Sequence, residues 1–346
     1  MTVKITKPQI NVREKISELD KPSGVAGQAM LAAETPQEQF NLIGAGRRNM
    51  LINANMTINQ RGTASPVTVS ANDNQIYPVD RWRTYANSTD CVATINDVVL
   101  PNGHRVKSLK TVASGSGAWI HPFQTVEIES WMSGQTVTFS AWIRTNFTNQ
   151  AFRICDGVSC YLIGDEFPSD GQWHYMTASY VLPNGMTTGF MQYHPGFGGA
   201  CVANDYIEFA CPQMELGKVA TPFEYRQIAE ELALCQRYYQ RFDADGQDFT
   251  NIGIAIATNS AWYVPIILPG GRMRADPALS YSAVGDFRVT LQHSNTNAVT
   301  SMMIGYSNPL HPNLSVQAGS NSASNGARMF GYGSSTTAWL AFDAEL

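Results

Sequence analysis

The chain has 346 residues and a mass of 37.9 kDa, enough for two or three domains and too much for one small core. Charged residues make up only 15%, against roughly 25% in an average soluble protein, yet mean hydropathy is −0.18 because uncharged Asn, Ser, Thr, Gln and Gly fill the gap. A net charge of −5 argues against a nucleic-acid binder, which needs basic patches; no run approaches a membrane span, so no membrane insertion is expected, and the first residues lack the apolar stretch of a signal peptide.

Residues 1–46 read as a short helical arm, too small to own a core. Asn11-Val12-Arg13-Glu14 has the capping-box pattern, in which the Asn side chain accepts from a helical amide and Glu14 reaches back. Val12, Ile16 and Leu19 then form one apolar stripe before Lys21-Pro22 ends the helix. Thr35-Pro36-Gln37-Glu38 is a second capping box, with Pro at the first helical position. Phe40, Leu42 and Ile43 follow, and Gly44 closes that helix. Ten of these 46 residues are charged, against twelve of the 109 in residues 238–346, so charge is concentrated at this end. The arm either packs on its own body or docks through Val12, Ile16, Leu19, Phe40, Leu42 and Ile43 into another protein.

Residues 47–227 read as a β-sandwich. Thr136 to Ile143 alternates, with Val137, Phe139, Ala141 and Ile143 on one face, and Trp173 to Val181 alternates before the turn at Pro183-Asn184-Gly185. Asp205 to Ala210 is a further short strand. Strands spaced by such turns suggest a two-sheet jelly roll and no βαβ unit. In residues 228–346, a connecting helix over Ile228–Tyr239 places Leu232, Cys235 and Tyr239 on one side. A second set of strands follows, clearest at Val289–Leu291 and Trp339–Phe342, with an exposed loop at Gly319–Gly326. The expected fold is mainly β: an N-terminal helical arm, a jelly-roll β-sandwich, a connecting helix and a C-terminal β-sandwich.

Six cysteines show no CxxC spacing, and without an export signal they are expected to be reduced and buried; a Cys155–Cys160 or Cys201–Cys211 hairpin disulfide is the alternative. The six histidines form no HExxH and no pair three or four residues apart, so no metal and no cofactor are expected. Asp243, Asp245 and Asp248 lack the closing Glu of a calcium loop and suit a solvated turn. No nucleophile elbow or P-loop occurs. Asp165-Glu166, Asp205 with Glu208, and Glu127 with Glu129 offer carboxylates for glycoside hydrolysis, but such pairs arise by chance in strand-rich chains. The chain is therefore expected not to be an enzyme.

Glycan binding suits this composition, since sugars stack apolar C–H faces on aromatic rings and pair hydroxyls with Asn, Gln and Asp. Aromatic or imidazole rings near Gly/Pro turns are the candidates: Trp119 with His121, Trp131 beside Gly134, Tyr193-His194 with Phe197, and Tyr306, Phe330 and Tyr332 in the last domain.

Three motifs carry a family resemblance. Arg48 to Gly62, Arg-Asn-Met-Leu-Ile-Asn-Ala-Asn-Met-Thr-Ile-Asn-Gln-Arg-Gly, resembles the "N-L-L-I-N-G-D-F-x-x-x-Q-R-G" opening of many bacteriophage virion proteins, where it starts a jelly roll similar to carbohydrate-binding modules. Tyr77 to Trp82 matches a following "Y-x-x-D-R-W", and Gln213 to Arg226 resembles a closing "Q-x-E-x-G-x-x-A-T-P-F-E-x-R", completed by Glu231 to Tyr239. Ala54 stands where the pattern prefers Gly, and Ala takes positive φ only at a cost. Within the motifs, Asp80-Arg81-Trp82 is either a sugar platform or a buried Trp capped by an Asp–Arg pair, and Glu215 and Arg226 suit fold-closing partners. The resemblance implies a tail fibre or other virion appendage on the particle surface, commonly a homotrimer, attached to another virion protein through residues 1–46 and binding host surface glycans without catalysis. The alternatives are a capsid-attached decoration or head fibre and, further off, a polysaccharide-processing enzyme.

Overall fold

The computed structural model describes residues 25–32, 39, 48–73, 76–156, 159–185, 189–246, 250–257, 261–290, 296–318, 327–333 and 335–345. The expected docking residues Val12, Ile16, Leu19, Phe40, Leu42 and Ile43 lie outside them, as do both capping boxes, Asp248 and the 319–326 loop. Within the arm, one Ala- and Met-rich helix is described, α1 (Val25–Ala32).

Two six-stranded antiparallel sheets form the sandwich. The first runs, in spatial order, β1 (Val67–Val69), β4 (Cys91–Val99), β5 (Arg105–Ala113), β12 (Tyr206–Leu216), β7 (Thr136–Thr145) and β10 (His174–Val181). The second runs β2 (Ile76–Val79), β3 (Trp82–Asn87), β6 (Trp119–Ile128), β11 (Gly189–Phe197), β8 (Ala151–Cys155) and β9 (Cys160–Ile163). Val137, Phe139, Ala141 and Ile143 of β7 are buried as their alternation requires. They meet Trp82, Phe152, Tyr193 and Phe209 in one core, with Trp82 and Phe209 5.0 Å apart and Phe139 stacked 5.2 Å from Tyr193.

The connecting helix, α2, is shorter than expected (Ile228–Gln236); Tyr239 instead opens β13 (Tyr239–Asp243), paired with β21 (Trp339–Asp343), which also pairs β16 (Ala278–Tyr281). The C-terminal β-sandwich is likewise corrected. Beside this three-stranded sheet stands a closed barrel in the order β14 (Asn251–Ala257), β15 (Trp262–Pro265), β19 (Asn313–Ala318), β18 (Thr296–Tyr306), β17 (Phe287–Thr290) and β20 (Ala327–Tyr332), with β20 returning to β14. Closure removes the open edges a small sandwich would leave. Trp262, Phe287, Phe330 and Phe342 fill this second core.

The expectation of six reduced thiols also fails at one place. Cys155 lies opposite Cys160 in the β8–β9 hairpin, at a Cα separation of 4.0 Å, and the two are joined. Register, which spacing alone does not show, brings them together. Cys91, Cys201, Cys211 and Cys235 are free and buried.

The recurrent motifs are structural joints. Asn53 is wholly buried in a left-handed conformation (φ 55°), so the strained position falls on Asn53 and Met56, not on Ala54; Asn tolerates this region better than Ala. Its side chain donates to the carbonyls of Ile58 and Asp80 and accepts from the amides of Thr57 and Ile58, which fills its full capacity. The Trp82 indole donates to its carbonyl at 2.9 Å, and Glu231 of α2 accepts from its amide. The opening segment clasps the closing one: Arg226 donates to the carbonyls of Asn49 and Leu51, while Glu224 accepts from the amides of Arg48 and Asn49. Glu215 is buried and accepts from both the amide and the hydroxyl of Thr221.

Asp80 and Arg81 do not pair with each other. Asp80 accepts from the backbone and side-chain amides of Gln60, and burial raises its pKa to about 6. Arg81, left-handed at φ 70°, lies 3.5 Å over the Tyr238 ring and pairs with Glu345, while donating to the Thr125 carbonyl. Arg61 sits between the rings of Tyr77 and Tyr239, at 4.1 and 3.8 Å, and bonds Asp343 and Glu345. These contacts join the jelly roll to the C-terminal module. Arg81→Ala leaves the buried Glu345 carboxylate with Arg61 as its remaining cation and should cost about 3 kcal/mol in chemical denaturation. The double replacement R81L/E345L should recover part of that loss, because it removes that charge pair while Arg61 keeps Asp343.

Candidate aromatic face

Strand alternation turns every second residue of the second sheet away from the core. Register then aligns Arg83 with Phe123, Tyr85 with His121, Asn87 with Trp119, and His194 with Arg153. A shift between His194 and Phe197 folds Phe197 back onto the same face. Phe197 lies 6.0 Å from Trp119, 5.0 Å from His121 and 6.2 Å from His194. His121 and His194 are 4.8 Å apart, and Phe123 stacks on His194 at 5.3 Å. The Arg153 guanidinium lies 3.8 Å over Phe197, and that of Arg83 5.8 Å over Phe123 while donating to the Tyr77 hydroxyl at 2.5 Å.

The structure thus gathers Trp119, His121, His194 and Phe197 from the expected glycan contacts and disperses the others. Tyr193 points into the sandwich core, Phe330 into the barrel, and Tyr332 is buried with its hydroxyl donating to the Phe242 carbonyl; His121 and His194, though on the outer side of the sheet, are covered almost as fully, which leaves Trp119 and Phe197 as the half-buried rings of the gathered set. They sit on strands whose alternation turns them inward. Trp131 is exposed on a short turn of helix away from the cluster, and Tyr306 is exposed on the barrel wall. Sequence reading did not find Tyr85, Arg83, Phe123 or Arg153, because only the pairing of β3, β6, β11 and β8 makes them neighbours.

The face is aromatic and its histidines are neutral. His121 and His194 are 5% and 1% exposed, covered by the rings around them. Burial, and next the Arg153 charge, lowers the pKa of His121 to about 3; burial, then His121 and Arg153, holds His194 well below the usual range. The Nδ1 atom of each has no hydrogen-bond partner. The Cys155–Cys160 bond closes the hairpin beside them, with Cys155 Sγ 3.7 Å from His194 Nε2.

Two other features compete as sites. A cavity of about 390 Å³ on the opposite sheet is lined by Val98, Val106, Arg105 and Tyr225, and its Lys107 is already paired with Asp97. Of the carboxylates considered for catalysis, Glu208 is fully buried on Arg144 and Ser108 and Glu127 pairs with Arg237, while Asp165 and Glu166 are exposed. The outer face of the second sheet, where Tyr85, Trp119 and Phe197 are half-buried beside Arg153, is the better platform for an extended ligand.

Both imidazoles titrate lower in the folded than in the unfolded chain, so below pH about 6.5, and for His121 down to pH about 3, the unfolded chain binds more protons. Their contribution to stability is complete above pH about 6.5 and is lost on acidification, at up to roughly 1.4 kcal/mol per pH unit for each. Removing one imidazole in His121→Phe should flatten the stability–pH profile below pH 6 by about one proton, read by denaturation at stepped pH.

No protein-family model matches the sequence, and no curated protein matches it. The fold is similar to the CBM22-1 xylan-binding domain of Paenibacillus barcinonensis Xyn10C, at 14% identity and a TM-score of 0.30 over 46% of this chain and 97% of that one. It is also similar to the enzymatically active domain of bacteriophage CBA120 tailspike protein 4, at 15% identity and a TM-score of 0.33, over 49% of this chain and 21% of that one. TmCBM61, solved with β-1,4-galactotriose, shows 13% identity and a TM-score of 0.28 over 50% of this chain and all of that one. Likenesses this loose leave the chemistry to be read from the face itself.

Proposed function

We propose that this protein is a virion appendage, a tail fibre that attaches to host surface glycans by multivalent, non-catalytic binding through the aromatic face of its second sheet. The observation that carries this reading is the convergence of Trp119, His121, Phe123, His194 and Phe197 on one outward face. Sugar rings can stack on Trp119 and Phe197, which are half-buried on this face, while His121, Phe123 and His194 form the packed layer that supports them. Weak single sites gain through effective concentration when several copies are displayed on one particle. The motif resemblance supports the virion setting, with residues 1–46 as the segment that docks on another virion protein. On a virion, labelling should place the protein at the tail; labelling over the capsid shell would support the decoration reading instead. Trp119→Ala should reduce glycan-array binding at least tenfold while leaving the melting temperature unchanged, and an array signal indifferent to this change would sink the proposal.

The copies are proposed to be a homotrimer. Four adjacent barrel strands, β14, β15, β19 and β18, contain no Asp, Glu, Lys, Arg or His, and Ile254, Ile256, Met303 and Tyr306 on them are 52–69% exposed. Register runs Ile256, Tyr263, Ser315 and Met303 across one row, with Tyr263 and Tyr306 rings 6.4 Å apart. A charge-free wall with Met and Tyr has the composition of an interface centre, and packing it on an identical wall strands no charge. The double variant I254D/M303D should convert a trimer to a folded monomer in light scattering, since both positions are exposed in the single chain, with melting lowered by the lost association; a monomeric wild type would refute this part.

A further inference from the structure

We propose that the aromatic face selects acidic glycans, with a sugar carboxylate held by Arg153, and with Arg83, three strands away on the same face, as a second cation for a longer acidic chain; this rests on the glycan-binding reading above. Its basis is a charge without a counter-ion on an aromatic ring. Arg61, Arg81, Arg144, Arg237 and Arg241 are neutralised by carboxylates, whereas Arg105, Arg272 and Arg288, away from this face, share with Arg153 the lack of one among the described residues. Arg153 has no carboxylate and no hydrogen-bond partner among the described residues, although it is half-buried against Phe197. Arg83 is bonded to a neutral phenol.

A guanidinium laid on a ring has lost part of its water and gained no anion in exchange. Its planar fork of donors matches a carboxylate bidentately, which an ammonium or a neutral amide does not. The histidines cannot supply that charge, because burial keeps them neutral. They pack instead as buried neutral rings under Phe197, which contacts both Trp119 and Arg153. One ring system thus links a stacking indole and a free cation over two buried neutral imidazoles, which suits a sugar carrying a carboxylate. The net charge of −5 gives no long-range pull toward anions, so selection acts at contact range only.

The test is a glycan array carrying uronate, sialate, sulfated and neutral glycans, read with the full chain and with the Arg153→Gln, Arg83→Gln and Trp119→Ala variants. Carboxylated glycans should lead, Arg153→Gln should lower their binding about tenfold or more with unchanged melting, Arg83→Gln should lower it less, and carboxyl reduction of a bound polymer should mimic Arg153→Gln. Binding confined to neutral glycans, or unaffected by Arg153→Gln, would overturn the inference while leaving the glycan face in place. Sulfated glycans binding as tightly as carboxylated ones would overturn selection of a carboxylate. An absence of binding across the array would overturn both this inference and the function on which it rests.

Discussion

The Glu345 carboxylate, buried between Arg61 and Arg81, holds the two halves of this protein to one another. Two cations and a carboxylate taken out of water are favourable only when every partner is in place. The surroundings meet that demand with rings and hydrogen bonds. Tyr77 and Tyr239 sandwich Arg61, Tyr238 underlies Arg81, and Arg274 donates to the carbonyls of Ala344 and Glu345. The Ala344 amide returns to the Tyr238 carbonyl at 2.7 Å. The last described residues are thus stitched into a joint that begins nearly 300 positions earlier in the chain.

That joint governs what the motifs mean. Gln60-Arg61, Asp80-Arg81 and Tyr238-Tyr239 lie far apart in sequence and meet at one interface. Asn53, which accepts the Trp82 indole and donates to Glu231, links the interface to the sandwich core and to α2. The same rigid sandwich presents the aromatic face on its second sheet. Removed from the joint, that face carries the half-buried Arg153, laid on Phe197 and without a carboxylate partner among the described residues.

Alternation made several strands legible from sequence. The run from Val137 to Ile143 and that from His174 to Val181 appear where their period-two patterns place them, because one side of each strand must be buried. The barrel was not legible: its strands are short and charge-poor, and closure depends on β20 reaching β14 across more than 70 residues. Burial of Trp82 was legible as well, whereas the partner of Arg81 was not, since Glu345 lies 264 residues away.

The aromatic candidates divide for the same reason. Composition and local turns single out Trp119, His121, His194 and Phe197 but equally Tyr193, Phe330 and Tyr332, which point into the cores. A one-residue change in register exchanges the two faces of a strand, so the residue type alone does not say which rings meet solvent. By itself the sequence determined a weakly charged, mainly β chain with paired opening and closing motifs, because composition and period-two burial are local properties. Only the tertiary structure decided which face is aromatic, that Arg153 lies on it without a counter-ion among the described residues, and which carboxylate closes the joint. Those outcomes depend on strand pairing over long separations, where geometry selects among contacts that the local chain leaves open.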